Sequence, residues 1–284
     1  MPSACNGSQI VFTLVADAIK KRAPTVYEIA KRTYRYLKLP TVKLLDGKLT
    51  FVAPELLRAA PTEAHVLRWI TQLLRPGDTF FDVGAHCGWM SLVACHRVGN
   101  AGKVVAFEPS PPHAKILQYN KAANRFVQME VVTGAVADSD GEFVPFYLVD
   151  QGNSFLNSLV AHTGQLPADY RRQKSTIQAQ TISLDEFCKR QNLQPDLVKI
   201  DVEGAELLVL QGARSLLNVC RCKFIVAVHP TWLPQGQTTD NIFSLFSTQG
   251  YRLAASQSVK HDDTDFGDYV FVPNTTEFLS LNQM

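Results

Sequence analysis

The stretch "FFDVGAHCGW", Phe80 to Trp89, constrains the fold more than any other part of this chain. The preceding "LLRPGDT" ends a helix and turns at Pro76 and Gly77, so "FFDV" reads as a short buried strand. Gly84 and Gly88 then allow a tight bend into the next helix. Strand, glycine turn and helix in that order open the repeating unit of a nucleotide-binding α/β sheet. A dinucleotide fingerprint needs G-x-G-x-x-G, whose second glycine admits the pyrophosphate and whose third admits close helix packing. Counted from Gly84, those places hold His86 and Trp89, which disfavours a nicotinamide dehydrogenase.

Asp82, two residues before Gly84, points to a different ligand. A carboxylate at a strand tip repels phosphate but suits a molecule carrying an ammonium and a sulfonium, as S-adenosylmethionine does. The plainer alternative is an ordinary turn in which Asp82 caps the next helix. Downstream, "KVVAFEPS" is a buried strand ending at Glu108, "PHAKILQYNKAAN" a helix and "VQMEVVTGAVAD" a third strand. Such alternation builds a parallel sheet, which binds ligands outside the carboxyl ends of its strands. Glu108 lies 24 residues after Gly84, where an acid reaches ribose hydroxyls, and Pro109 and Ser110 share its turn. "PDLVKIDVEGAELLVLQGA" then gives a strand with Asp201 at its tip and a helix with Glu203 and Glu206 in its first turn, closed by Gly212. His229 follows "FIVAV" at the next strand tip.

Composition sets the outer limits. At 284 residues with 46% hydrophobic content, one α/β domain with an N-terminal extension fits best. The extension covers residues 1–60, with two basic helical stretches around Pro24 and a hairpin, "TVKLLDGKLTFV", turning at Asp46 and Gly47. Residues 61–284 form the main domain. Residues 1–50 hold nine Lys and Arg against three Asp and Glu, although the net charge of the whole chain is only +2. A solvated face over the core explains those basic helices better than a polyanion site, so no nucleic-acid partner is expected. The six cysteines show no paired spacing for zinc or for a disulfide framework. The apolar run "IVFTLVADAI" is too short to span a membrane and contains Asp17, so a soluble cytoplasmic protein is the expectation.

Residues 142–184 depart from a plain crossover. "EFVPFYLV" and "STIQAQTI" read as paired strands, and the long polar stretch between them suits a lid over the strand tips. There Tyr170, Arg171 and Arg172 are placed to contact an anionic substrate, or are ordinary surface residues. "HDDTDFGD", His261 to Asp268, lacks the spacing of a calcium loop and reads as a solvated loop close to the active face.

Taken together, "FFDVGAHCGW", "VVAFEPS", "KIDVEGAE" and "VAVHP" resemble the FkbM family of S-adenosylmethionine-dependent methyltransferases, over roughly Arg75 to Pro273. The resemblance implies a class I methyltransferase (Rossmann-like) fold with a seven-stranded, mostly parallel sheet whose last, antiparallel pair is "YRLAASQ" and "DYVFVP". It implies that Asp82, Gly84, Ala85, His86 and Gly88 shape the methionine pocket, Glu108 holds the ribose, and Ala135 and Val136 flank the adenine. His86 and Cys87 stand where the family often has a pair such as Asn-Ile, a departure that bears on local contacts only. Asn157 and Ser158 resemble a polar pair common in the family and are expected at the substrate. The implied reaction is O-methylation of a sugar or small metabolite; N-methylation is the weaker alternative, and a silent S-adenosylmethionine-binding protein a third.

Methyl transfer from a sulfonium is an in-line displacement with a good neutral leaving group, so alignment and exclusion of water carry much of it. A hydroxyl acceptor also needs a base. Asp201 is the first candidate: it is placed to take the hydroxyl proton, bind the cofactor's amino group, or help hold a divalent metal. Glu203 is a second acid, with helix stabilisation as its alternative. His229 titrates near neutrality and suits a base or substrate donor.

Overall fold

The computed structural model describes residues 41–44, 49–52, 63–149, 157–161, 174–219, 222–261 and 264–277. The basic helical stretches, the Asp46–Gly47 turn, Tyr170, Arg171 and Arg172 lie outside the described residues. The hairpin flanking that turn forms: β1 (Thr41–Leu44) pairs antiparallel with β2 (Leu49–Val52). Leu49 and Phe51 are buried in the same cluster as the sheet and its helices, and the Asn124 side chain bonds both the N–H and the carbonyl of Thr50. The hairpin is therefore docked on the body of the protein through both apolar and backbone contacts.

Helix α1 (Ala64–Leu73) leads into β3 (Thr79–Val83), α2 (Trp89–Val98), β4 (Lys103–Phe107), α3 (Pro111–Ala123) and β5 (Met129–Val132). After an excursion come α4 (Leu184–Gln191), β9 (Leu197–Ile200), α5 (Glu206–Gln211), α6 (Arg214–Val219), β10 (Lys223–Val228), α7 (Thr239–Thr248), β11 (Tyr251–His261) and β12 (Thr264–Pro273). The main sheet has the order β11-β12-β10-β9-β3-β4-β5. β10, β9, β3, β4 and β5 are parallel, and β12 and β11 complete one edge antiparallel, as the sequence implied.

Period-two alternation sends successive strand residues to opposite layers. In β4, Val104 and Ala106 join the cluster that holds α1, α2 and α3, whereas Val105 and Phe107 join the cluster holding α4, α5, α6 and α7. The chain runs from β3 outward to β4 and β5, then returns to lay β9 on the other side of β3. The switch point, where such sheets bind ligands, thus lies between β3 and β9.

Three expectations are corrected. The third strand is not continuous: β5 ends at Val132, and β6 (Ala135–Val136) joins a separate three-stranded sheet of order β6-β8-β7, with β7 (Phe143–Val149) and β8 (Lys174–Ile182) antiparallel. The change falls beside Gly134, where a Cβ would meet the Ile182 side chain at 2.5 Å and the Gln180 carbonyl at 3.0 Å. Glu203 does not lie in the first turn of a helix: α5 begins at Glu206, and Glu203 and Gly204 have φ of 56° and 100°. Two successive left-handed residues break helical geometry. The stretch "HDDTDFGD" is not a solvated loop, because Thr264 onward is β12 and Asp268 is buried against His65, Oδ2 to Nε2 2.6 Å. Charge density in the sequence concealed a strand whose buried acid has its own partner.

Candidate active site

The site is built where the tips of β3, β4 and β9 meet. Gly84 has φ 81°, and a Cβ there would run into the backbone carbonyl of Asp201. Only glycine lets the loop after β3 close against the tip of β9. The N–H groups of Gly84 and Ala85 both donate to the Phe107 carbonyl, at 3.1 and 3.0 Å, which ties the same loop to β4. Gly88 and Trp89 carry the chain from this loop into α2.

Beneath the loop, Asp82 is fully buried. Its Oδ2 accepts from the Ser91 hydroxyl at 2.5 Å, and its Oδ1 lies 3.7 Å from Nζ of Lys199. Lys199, 5% exposed in the middle of the sheet, also donates to Asp201 Oδ2 at 3.1 Å. Burial works against the ammonium, but Asp201, Asp82 and Glu63 outweigh it and keep it charged. For Asp82, burial wins over Lys199 and raises the carboxyl above its ordinary range. The cation nearest Asp82 is thus supplied by the protein itself.

On the β4 side, Glu108 Oε1 accepts the Ser110 N–H and Oε2 the His86 N–H, both at 2.8 Å. Burial nevertheless pushes its carboxyl up to about 7 against those two bonds. Each oxygen retains a lone pair for a hydroxyl donor. The His86 ring packs on His113 with centroids 3.7 Å apart, and its Nε2 is buried without a hydrogen-bond partner. Burial, then His113, holds His86 well below its ordinary value. Cys87 is buried beside them, its thiol kept protonated by desolvation. Ala135 and Val136 are also buried, with side chains inside hydrophobic clusters.

On the β9 and β10 side the groups are all titratable. His229 Nε2 lies 3.3 Å from Glu203 Oε2 and 3.9 Å from Asp201 Oδ1, while its Nδ1 meets Glu206 Oε1 at 2.8 Å. Glu206, fully buried, also accepts the Gly204 N–H at 3.0 Å. Burial disfavours the imidazolium, yet Glu203, Glu206 and Asp201 lift His229 to about 10. Burial raises Glu203 to about 8 despite His229. At Asp201 burial is outweighed by Lys199 and His229, which hold the carboxyl below its ordinary value. Trp232 and Phe266 stack on the His229 ring at 5.2 and 5.4 Å.

Asp201, Glu203 and His229 thus come together, and Gly84 joins them through Asp201. Asn157 and Ser158 take internal roles: Asn157 Oδ1 accepts the Val149 N–H, and the Ser158 hydroxyl donates to the Glu203 carbonyl at 2.8 Å. Sequence reasoning passed over Lys199, although a lysine inside the buried run "LVKI" signals a buried partner. It read Glu206 as a helix-end acid. Glu63, at the start of α1, is pushed to about 7 by burial and by Asp201; no local pattern marked it.

A family model described as a methyltransferase FkbM domain matches residues 82–253. No curated protein matches the chain. Among solved structures, a methyltransferase FkbM from Methylobacillus flagellatus is 16% identical with a TM-score of 0.47, covering 70% of this chain and 45% of its own. The chain therefore spans less than half the length of that protein. A SAM-dependent methyltransferase from Aquifex aeolicus is 15% identical with a TM-score of 0.41, covering 78% of this chain and 94% of its own. TrmK of M. capricolum, in complex with S-adenosyl-homocysteine, is 12% identical with a TM-score of 0.44, covering 74% and 68%.

Proposed function

The chain belongs to the FkbM methyltransferase family, and from that premise we propose that it methylates a hydroxyl on a sugar or small metabolite, using S-adenosylmethionine. The observation that carries this reading is the meeting of Gly84, Glu108 and Asp201 at three adjacent strand tips on the switch point. The residues present fit the cofactor: Gly84 leaves room beside Asp201, Glu108 has lone pairs for ribose hydroxyls, and His86 Nε2 is a buried polar atom awaiting a partner. S-adenosylmethionine supplies a methyl group whose bond to sulfur breaks as the bond to oxygen forms, the electron pair staying on sulfur.

The chain's own residues do the rest. The loop of Gly84, Ala85, His86 and Gly88 encloses the methionine part, above the buried Asp82–Lys199 pair. Glu108, with Pro109 and Ser110, holds the ribose, and the backbone of Ala135 and Val136 flanks the adenine. Asp201, kept ionised by Lys199, accepts the hydroxyl proton, while Glu203 and His229 orient the acceptor. The hairpin of β7 and β8 covers the acceptor, anchored by Ser158 on the Glu203 turn. Among the described residues no helix is long and apolar enough to cross a membrane.

Calorimetry with S-adenosylhomocysteine tests the first half: saturable binding is expected, and none by folded protein sinks the reading. Asp201→Asn tests the second half. It is expected to lower methyl transfer by about 10²-fold or more while the protein still binds the product cofactor. Binding without turnover on any hydroxylated acceptor would instead favour a silent cofactor-binding protein.

A further inference from the structure

We propose that Asp201, Glu203 and His229 form a binding site for one divalent transition-metal ion, with Glu206 fixing the imidazole from behind. The proposal deepens the acceptor side of the methyl-transfer reading; the ion's catalytic use rests on that reading, but its binding does not.

The argument begins with the tautomer. Glu206 Oε1 already takes the Gly204 N–H and lies 2.8 Å from His229 Nδ1. A carboxylate oxygen accepts, so Nδ1 keeps its proton, and an ion at Nε2 takes the place of the second ring proton and meets a lone pair there. That lone pair faces Glu203 Oε2 at 3.3 Å and Asp201 Oδ1 at 3.9 Å. Glu203 Oε2 is buried and has no hydrogen-bond donor. Once Nε2 and Glu203 give up their protons, three acceptors face one another, and a cation between them satisfies all three. A proton on Nε2 serves one carboxylate at a time, whereas an ion serves all three.

The spacing fits. Two atoms that each sit roughly 2.0–2.2 Å from one ion lie at most about 4.4 Å apart, and both measured separations fall inside that limit. The supports behind the ligands are those a metal site requires. A carboxylate orients the histidine, Lys199 holds the other oxygen of Asp201, and the left-handed Glu203 turns its side chain back toward both. Trp232 and Phe266 hold the plane of the imidazole. One imidazole with two carboxylates suits a hard or borderline ion such as Mn²⁺ or Zn²⁺ rather than a soft one. Three protein ligands leave positions where an acceptor hydroxyl can bind and become more acidic.

The experiment titrates chelator-treated full chain with Mn²⁺, following free Mn²⁺ by its electron paramagnetic resonance signal, with S-adenosylhomocysteine affinity and thermal midpoint measured on every sample. One Mn²⁺ per chain is expected, with uptake weakened about 10–100-fold in Glu206→Gln and at least as much in Glu203→Gln. The proposal is overturned by wild-type protein that binds S-adenosylhomocysteine yet takes up no Mn²⁺ saturably. Folded variants that bind Mn²⁺ like the wild type overturn it as well. One-to-one Mn²⁺ uptake without S-adenosylhomocysteine binding upholds the ion site and sinks the methyltransferase reading instead.

Discussion

The tips of β4 and β9 both end in a carboxylate, and the two are satisfied in opposite ways. Glu108 is met by two backbone N–H groups, so its position is set by the chain path. Asp201 and Glu203 are met by side chains that are themselves charged, and Glu203 Oε2 by no hydrogen-bond donor. The β4 tip is fixed by backbone donors. The β9 tip is a cluster of titratable side chains that set one another's charge. Under the proposed function the β4 tip would grip the cofactor and the β9 tip the acceptor.

Lys199 joins the two regions, and removing it is the most severe way to break the comparison. Lys199→Met leaves Asp82 and Asp201 without their shared cation, and one-sided loss of a buried pair costs about 3–5 kcal/mol. A fall in thermal midpoint of roughly 10 °C is expected in differential scanning calorimetry. An unchanged midpoint would mean that the two acids are balanced without it.

Glu108→Gln sharpens the comparison through pH. The folded carboxyl stays protonated up to about 7 against an ordinary 4.5, so its contribution to stability is full below 4.5 and disappears as pH rises toward about 7. The difference in unfolding free energy between wild type and variant is therefore expected to shrink with rising pH across that window, by about 1–3 kcal/mol. Urea denaturation at several pH values measures it, and a flat difference would contradict the burial argument. The smallest effect belongs to Ser158→Ala, which unties the β7–β8 hairpin from the Glu203 turn. It should cost about 0.5–1.5 kcal/mol and raise the acceptor KM a few fold with cofactor affinity unchanged. A change in cofactor affinity instead would move Ser158 to the other half of the site.

Asp82, Glu108, Asp201 and His229 are legible in the amino-acid sequence, because each ends an apolar run in a chain that alternates strand and helix. The seven-stranded, mostly parallel sheet with its antiparallel last pair follows from the same pattern together with the family resemblance. Glu63, Glu206, Trp232 and Phe266 are not legible as site residues. Glu206 looks like any acid at a helix start, Trp232 lies in the turn just after His229, and Glu63 and Phe266 reach Asp201 and His229 from elements far away in the chain. The error over Glu203 has the same origin, since its left-handed turn is imposed by Gly204 packing on the Trp232 carbonyl.

By itself, then, the amino-acid sequence determined the local chemistry: which strands are buried, where glycine permits a turn, and which acids stand at strand ends. Those properties depend on hydrophobic periodicity and backbone sterics, which act over a few residues. Only the tertiary structure decided which charges face one another. Burial depth and distance set the balance between desolvation and Coulomb attraction, and so left Asp201 ionised while Glu203, two residues on, keeps its proton to about 8.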